Sequence, residues 1–361
     1  MIMNHKWIQR AAVAVLTIAG GTTVALAETK LQGAGATFPA PLYKRWVAEY
    51  QKSNPDIAID YQSIGSGGGI KGFTEKTVDF GASDAPMSKA ELEKAGGAAN
   101  IVEIPSCAGA VVPAYNLPGV GDLKFSGDVL AKIYMGKITQ WNDPALTALN
   151  AGVSLPAQAI TVAYRTDGSG TTFVWTNYLS TQSEDFKGSI GAGKAVKFPV
   201  GQGGKGNEGV TAVVQQTPGA IGYIEENYAD QNKIAYGAVQ NKDGKFVKAT
   251  PEAVSAAGAG ATGQLKGNQL AANIWNQPGA DAYPIASFTY LLVYKDLGNV
   301  KSKEQAQALV NFLWWASHDG QKFASELDYA PLAEPVQKKV EEALQGLSYG
   351  GAELKPVALA R

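Results

Sequence analysis

The chain has 361 residues, 45% of them hydrophobic and 42 of them glycine, with 31 basic against 32 acidic side chains. That length and apolar content suit about two globular domains, and the near-zero net charge excludes a general attraction to nucleic acid or an anionic membrane. One cysteine, Cys107, and two histidines, His5 and His318, exclude an internal disulfide and leave no material for a His/Cys metal site.

Residues 1–27 read as a secretory signal peptide. Lys6 and Arg10 flank the start of the apolar run Ala11 to Ala19, and Ala25-Leu26-Ala27 is an A-x-A cleavage site. The run falls short of the roughly 20 residues that a membrane span needs, and no cysteine follows it to carry a lipid. Removing it takes away two basic charges, which leaves 29 against 32 in the remainder. Any anion must therefore be attracted locally.

Past the leader, Gly33-Ala34-Gly35-Ala36-Thr37 reads as a turn. Leu42, Trp46 and Tyr50 then recur on one face of a helix. Ile57, Ile59 and Tyr61 alternate as in a strand, and Ser66-Gly67-Gly68-Gly69 opens a short helix. Val78 to Ala82 reads as a buried strand, and Ser88 with Glu91 forms a capping box for the next helix. Strand and helix alternate, which predicts an α/β unit with a largely parallel sheet. Two long apolar strands follow, Ala108 to Tyr115 and Ile285 to Tyr294. Cys107 lies beside the first and reads as an inert buried thiol. Between them lies a second α/β-like region containing the strand Ala159 to Tyr164 and the segment Gly219 to Ile224. A helix capped by Ser302 and Gln305 comes next, and a last helix starts near Pro335. No repeat of 20–50 residues is present.

Arginine is scarce. Beyond the leader there are only Arg45, on an amphipathic helix, Arg165, at the end of an apolar strand, and the terminal Arg361.

Three times a loop rich in glycine and hydroxyls runs straight into a predicted helix: Gly35 to Pro39, Gly65 to Gly69, and Asp167 to Thr172. The first four N–H groups of a helix lack internal partners, and the helix dipole adds partial positive charge there. Glycine lets a ligand approach closely, and Ser and Thr add rotatable donors. Such a place binds an anion without net charge. Any one of these loops is equally an ordinary cap. Three of them with Arg165, whose planar fork can hold two oxygens, point to an oxyanion. Arg165 can also pair with Asp167.

Asp84, at the end of a strand, suits an ordinary turn. In an anion site a carboxylate repels, unless the ligand carries a proton that it can accept. It would then reject sulfate, which offers no such hydrogen. Other chemistries fare poorly. The G-x-x-x-x-G-K-[ST] loop fails at Pro199 and Gly206, the G-x-G-x-x-G match at Gly201 lacks its βαβ setting, and no G-x-S-x-G elbow exists.

The stretches Gly33 to Pro41, Asp79 to Asp84 and Asp167 to Thr171 resemble the periplasmic phosphate-binding proteins of high-affinity phosphate ABC transporters. Gly203-Gly204-Lys205-Gly206-Asn207 and Pro218 to Tyr223 add to the likeness, which runs in order along the chain. The resemblance implies a type II periplasmic-binding-protein-like α/β fold: two α/β lobes joined by two hinge segments, with the ligand cleft between them. It puts lobe 1 at 28–113 and 287–361 and lobe 2 at 114–286. It implies that phosphate is held by Thr37, Phe38, Ser66, Asp84, Arg165, Ser169, Gly170 and Thr171, with Asp167 orienting Arg165. Gly67 departs from the pattern, since relatives often carry a second serine there. The expected protein is a monomer in the periplasm. It has no catalytic residue, metal or cofactor, and its partners are inorganic phosphate and the membrane permease subunits, not nucleic acid. A carrier of arsenate or sulfate, an exported phosphatase and a surface adhesin are the alternatives.

Overall fold

The computed structural model describes residues 29–357, so the signal-peptide reading and Arg361 lie outside the described residues. The strands in chain order are β1 (Thr29–Gly35), β2 (Ile57–Ser63), β3 (Phe80–Ser83), β4 (Ile101–Tyr115), β5 (Lys124–Phe125), β6 (Thr161–Arg165), β7 (Gln202–Gly204), β8 (Ala220–Glu225), β9 (Ala235–Tyr236), β10 (Ala238–Gln240), β11 (Phe246–Val247), β12 (Ala286–Tyr294), β13 (Ser348–Tyr349) and β14 (Ala352–Glu353). The main sheet runs β2-β1-β3-β12-β4-β8-β6-β7, with β9 against the end of β4.

At one end β1 is parallel to β2 and β3. At the other β6 is parallel to β7 and β8. Between these halves β12 and β4 pair antiparallel with each other and with their outer neighbours. The sheet as a whole is therefore mixed, while its first unit, β1 to β3, is parallel as the alternation of strand and helix predicts. Its middle is made by two long strands that pass between the halves, and these need no helical crossover to pair.

β4 carries the join. Ile101 to Ala110 pair with β12, and Val111 to Tyr115 pair with β8. Every residue of β4 is buried, as befits a strand covered on both faces. The apolar pattern places its start at Ala108, because Glu103, Pro105 and Ser106 interrupt the run. Pro105 is accommodated where the register against β12 shifts between Thr289 and Tyr290, since an irregularity is where a central strand tolerates proline. Glu103 is satisfied by the Met87 N–H, which donates to its carboxylate at 2.7 Å.

Gly33-Ala34-Gly35 finish β1 instead of turning. A Cβ on Gly33 would stand 2.1 Å from the Phe80 ring, and one on Gly35 would stand 2.0 Å from the Ala82 carbonyl oxygen. Glycine at these positions reflects the closeness of β3 and not a turn.

The helices cover both faces. The helix Ala40–Ser53 buries Leu42, Trp46 and Tyr50, and Tyr50 meets Phe312 and Trp315 of the helix Lys303–Ser317 edge-on. In the other half Tyr134, Trp175 and Tyr223 pack ring to ring. Such pairs add about 0.5–1.5 kcal/mol each beyond their area. The Ser88/Glu91 capping box is formed, Ser302 accepts the Gln305 N–H, and the last helix spans Glu334–Gln345. The product is two α/β lobes built about one continuous sheet.

Candidate anion-binding site

The three hydroxyl-rich helix starts meet where the halves of the sheet face each other. Thr37 and Phe38 lie between β1 and the helix Ala40–Ser53. Ser66 is the first residue of the helix Ser66–Thr74. Ser169 caps the helix Gly170–Gln182 by accepting the Thr172 N–H. Thr37, Phe38, Ser66, Ser169, Gly170 and Thr171 are all buried.

Ser66 Oγ is the knot between the halves. It accepts the Gly170 N–H at 3.0 Å and the Asp84 N–H at 3.2 Å, and it lies 3.4 Å from Asp84 Oδ2 as donor. A Cβ on Gly170 would stand 2.4 Å from that carboxylate oxygen and 2.6 Å from Ser66 Oγ. Only glycine permits this approach. The adjoining backbones also touch. The Gly67 N–H donates to the Gly168 carbonyl at 2.8 Å, and a Cβ on Gly67 would lie 3.0 Å from Gly168 Cα.

Asp84 directly follows β3 and is 1% exposed. Its Oδ1 accepts a bond from Thr289 Oγ1 at 2.8 Å. Burial pushes its pKa up to about 7, against the pull of the Thr289 bond, the Arg165 charge and the Ser66 bond.

Arg165 ends β6, and its side chain is 1% exposed. Nε and Nη2 donate to the two oxygens of Asp167 at 2.8 and 2.6 Å, and Nη1 donates to Thr171 Oγ1 at 3.3 Å. The backbone N–H of Arg165 is held by the Tyr223 hydroxyl at 3.0 Å. Burial works against an ionised Asp167, yet the bond and charge of Arg165 hold its pKa below the usual value. Asp167 thus offsets the charge of Arg165, and the helix starts around the pair present N–H groups of partial positive charge.

The structure adds residues that the sequence pattern does not single out. Thr289 comes from β12, the strand beside β3. A fourth glycine-rich loop, Gly203 to Gly206, starts the helix Gly206–Gln216. There the Gly206 N–H donates to Asp167 Oδ1 at 3.0 Å, and Asn207 reaches Thr37 and Thr171. This loop shares the pattern of the other three but lacks Ser and Thr, which hides it from a search for hydroxyls. Tyr228 and Tyr329 donate to the carbonyls of Thr37 and Phe38, each at 2.6 Å. Tyr228 thereby ties the β8 half to the β1 half, as does the Lys194–Glu91 ion pair at 2.5 Å.

His318 is engaged elsewhere. It stacks on Trp314 and bonds the Trp314 carbonyl and Glu341. The Cys107 thiol is fully buried, and burial pushes its pKa well above the usual value.

A family model described as the PBP superfamily domain matches residues 20–316. The chain is 45% identical over 313 residues to the phosphate-binding protein PstS of Pasteurella multocida, covering 86% of this chain and 88% of that one. The chain belongs to the PstS family. The PstS protein of Haemophilus influenzae is 43% identical over 329 residues, covering 91% of this chain and 95% of that one. Among solved structures, a phosphate-binding protein from Stenotrophomonas maltophilia superposes with a TM-score of 0.67 at 22% identity, over 91% of this chain and all of that one. At that identity it speaks for the fold, the periplasmic-binding-protein arrangement of two lobes.

Proposed function

We propose that this protein is the phosphate receptor of an ABC importer, exported to the periplasm, which binds inorganic phosphate between its lobes and delivers it to the membrane permease. The lobes divide at 28–113 with 287–361, and at 114–286. The change of partners along β4 between Ala110 and Val111 supports that division. The observation that carries the reading is the burial of Asp84 among the helix starts and beside Arg165.

Phosphate takes the place of the bonds that Ser66, Gly170 and Asp84 make with one another. Thr37, Ser66, Ser169 and Thr171 offer hydroxyls, and Phe38, Ser66, Gly170 and Thr171 offer N–H groups. Arg165 has five N–H donors, of which three serve Asp167 and Thr171. One N–H on each terminal nitrogen is left for a grip on two oxygens. Asp84 takes the P–OH. Charge-assisted bonds of this number support a micromolar dissociation constant, about −8 kcal/mol. Closure of hinged lobes around the ligand is the expected transition, and the closed form docks on the permease as a monomer.

We read no catalysis in the cleft. His318 and Cys107 have other partners or are inert, so among the described residues the hydroxyls have no imidazole base. Arsenate, which also carries a proton, stays open as a second ligand. Melting scans with phosphate, arsenate and sulfate test the reading. Phosphate at 100 times its dissociation constant adds about 2.7 kcal/mol of stability, and sulfate at the same concentration adds almost none. No shift with phosphate would leave an adhesin or structural role. Turnover of a chromogenic phosphoester, lost in Arg165→Ala, would make the protein a phosphatase.

A further inference from the structure

Asn207 follows the first residue of the helix Gly206–Gln216 and is fully buried. Its Oδ1 accepts the Glu225 N–H at 3.0 Å. A backbone N–H can only donate, so this bond fixes which end of the carboxamide is oxygen. Nδ2 must then face the cleft, and its two hydrogens go to two hydroxyls. One is Thr37 Oγ1 at 2.8 Å, and the other is Thr171 Oγ1 at 3.2 Å. Thr37 follows β1 and Thr171 follows β6, so a single amide spans the two halves of the sheet.

Each hydroxyl oxygen takes a second bond. The Asn207 backbone N–H donates to Thr37 Oγ1 at 3.1 Å. Arg165 Nη1 donates to Thr171 Oγ1 at 3.3 Å. A hydroxyl has two acceptor sites and one hydrogen. With both acceptor sites filled, each threonine can only donate.

We propose, building on the phosphate reading of the cleft, that Asn207 is a positioning residue that commits the Thr37 and Thr171 hydroxyls to donate to the bound anion. It does so for both hydroxyls only when the lobes are closed, because Thr37 comes from the opposite half. The commitment has a consequence for the proton on phosphate. A freely turning threonine could accept a bond from P–OH, whereas a committed one cannot. The ligand is thereby turned so that its P–OH meets Asp84.

A double-mutant cycle tests this. Phosphate binding is titrated in the wild type, Asn207→Ala, Thr37→Val/Thr171→Val, and the triple variant, and melting without phosphate confirms folding. Asn207→Ala weakens phosphate about tenfold or more, as for loss of bonds that support a charged ligand. In the double-valine background the same change costs less than about threefold, because the hydroxyls it acts through are gone. Asn207→Asp keeps the size and still accepts the Glu225 N–H, but its other oxygen draws both hydroxyl hydrogens away from the ligand. It weakens binding by about a hundredfold or more. Equal losses from Asn207→Ala in the two backgrounds would overturn the proposal, and so would a folded Asn207→Asp that binds as the wild type does. A wild type that fails to bind phosphate would strike at the phosphate reading itself, not at Asn207.

Discussion

Asp84 sits between Ser66, Thr289 and the Arg165–Asp167 pair, where burial holds its pKa near 7. Above that pH it is a carboxylate and needs a hydrogen from the ligand. Phosphate supplies one and sulfate does not, so a buried unpaired group penalises sulfate. Asp84→Asn is expected to weaken discrimination against sulfate more than it weakens phosphate binding, as measured by competition at pH 8; unchanged selectivity would remove the filter role. The same chemistry gives a pH dependence. Below about pH 7 Asp84 is protonated and can itself donate to a fully ionised oxygen. Sulfate affinity of the wild type should rise between pH 8 and pH 5.5, and that of Asp84→Asn should not. Arg165→Ala removes the fork and leaves Asp167 without its partner. For a buried hydrogen-bonded charge, truncation costs about 2–5 kcal/mol, read as loss of phosphate affinity in a titration. Retained affinity would take Arg165 out of the site.

At the scale of elements, the helix start at Gly170 must approach Asp84 and Ser66 more closely than any side chain allows. Gly170→Ala should leave each lobe folded and hold the lobes apart, with phosphate binding reduced about a hundredfold or more, since two or more charge-assisted bonds are lost. Titration and melting together read this, and near-normal affinity would mean that the cleft does not close as described. These helix starts are visible in the sequence because their chemistry is local. Ser66, Ser169, Thr171, Arg165 and Asp167 each lie beside a glycine or a strand end that marks them. Thr289, Tyr228 and Tyr329 are not visible in this way, because they reach the site from distant segments and carry no local sign; Asn207 does lie beside a glycine, but its loop has no hydroxyl to draw attention to it. The same limit explains β1 and β4. Gly33 and Gly35 imitate a turn because the Phe80 ring and Ala82 backbone that require them lie in β3. Pro105 imitates a strand end because the register shift that tolerates it is set by β12.

For the molecule as a whole, several carboxyls are buried, and Glu225 and Glu226 each have one oxygen without a hydrogen-bond partner. Burial lifts Asp84 and Glu103 to about 7 and Glu226 to about 8, and raises Glu225 well above its usual value. In the unfolded chain such groups titrate near 4. Between about pH 5 and pH 8 the native state therefore holds more protons than the unfolded state, and stability falls as pH rises. Groups held low, such as Asp167 and Glu91, act in the opposite direction but below that window. Without phosphate the melting temperature should be lower at pH 8 than at pH 5.5; a rise across the interval would contradict the burial of these acids in the native state. Binding must offset this cost of ionised acids at the pH where the filter works best. An isothermal titration at pH 8 with phosphate and then sulfate measures both. One phosphate per chain with a dissociation constant of about a micromolar or tighter, and no measurable heat with sulfate, is the predicted result. Equal binding of the two anions, or none of either, would contradict it.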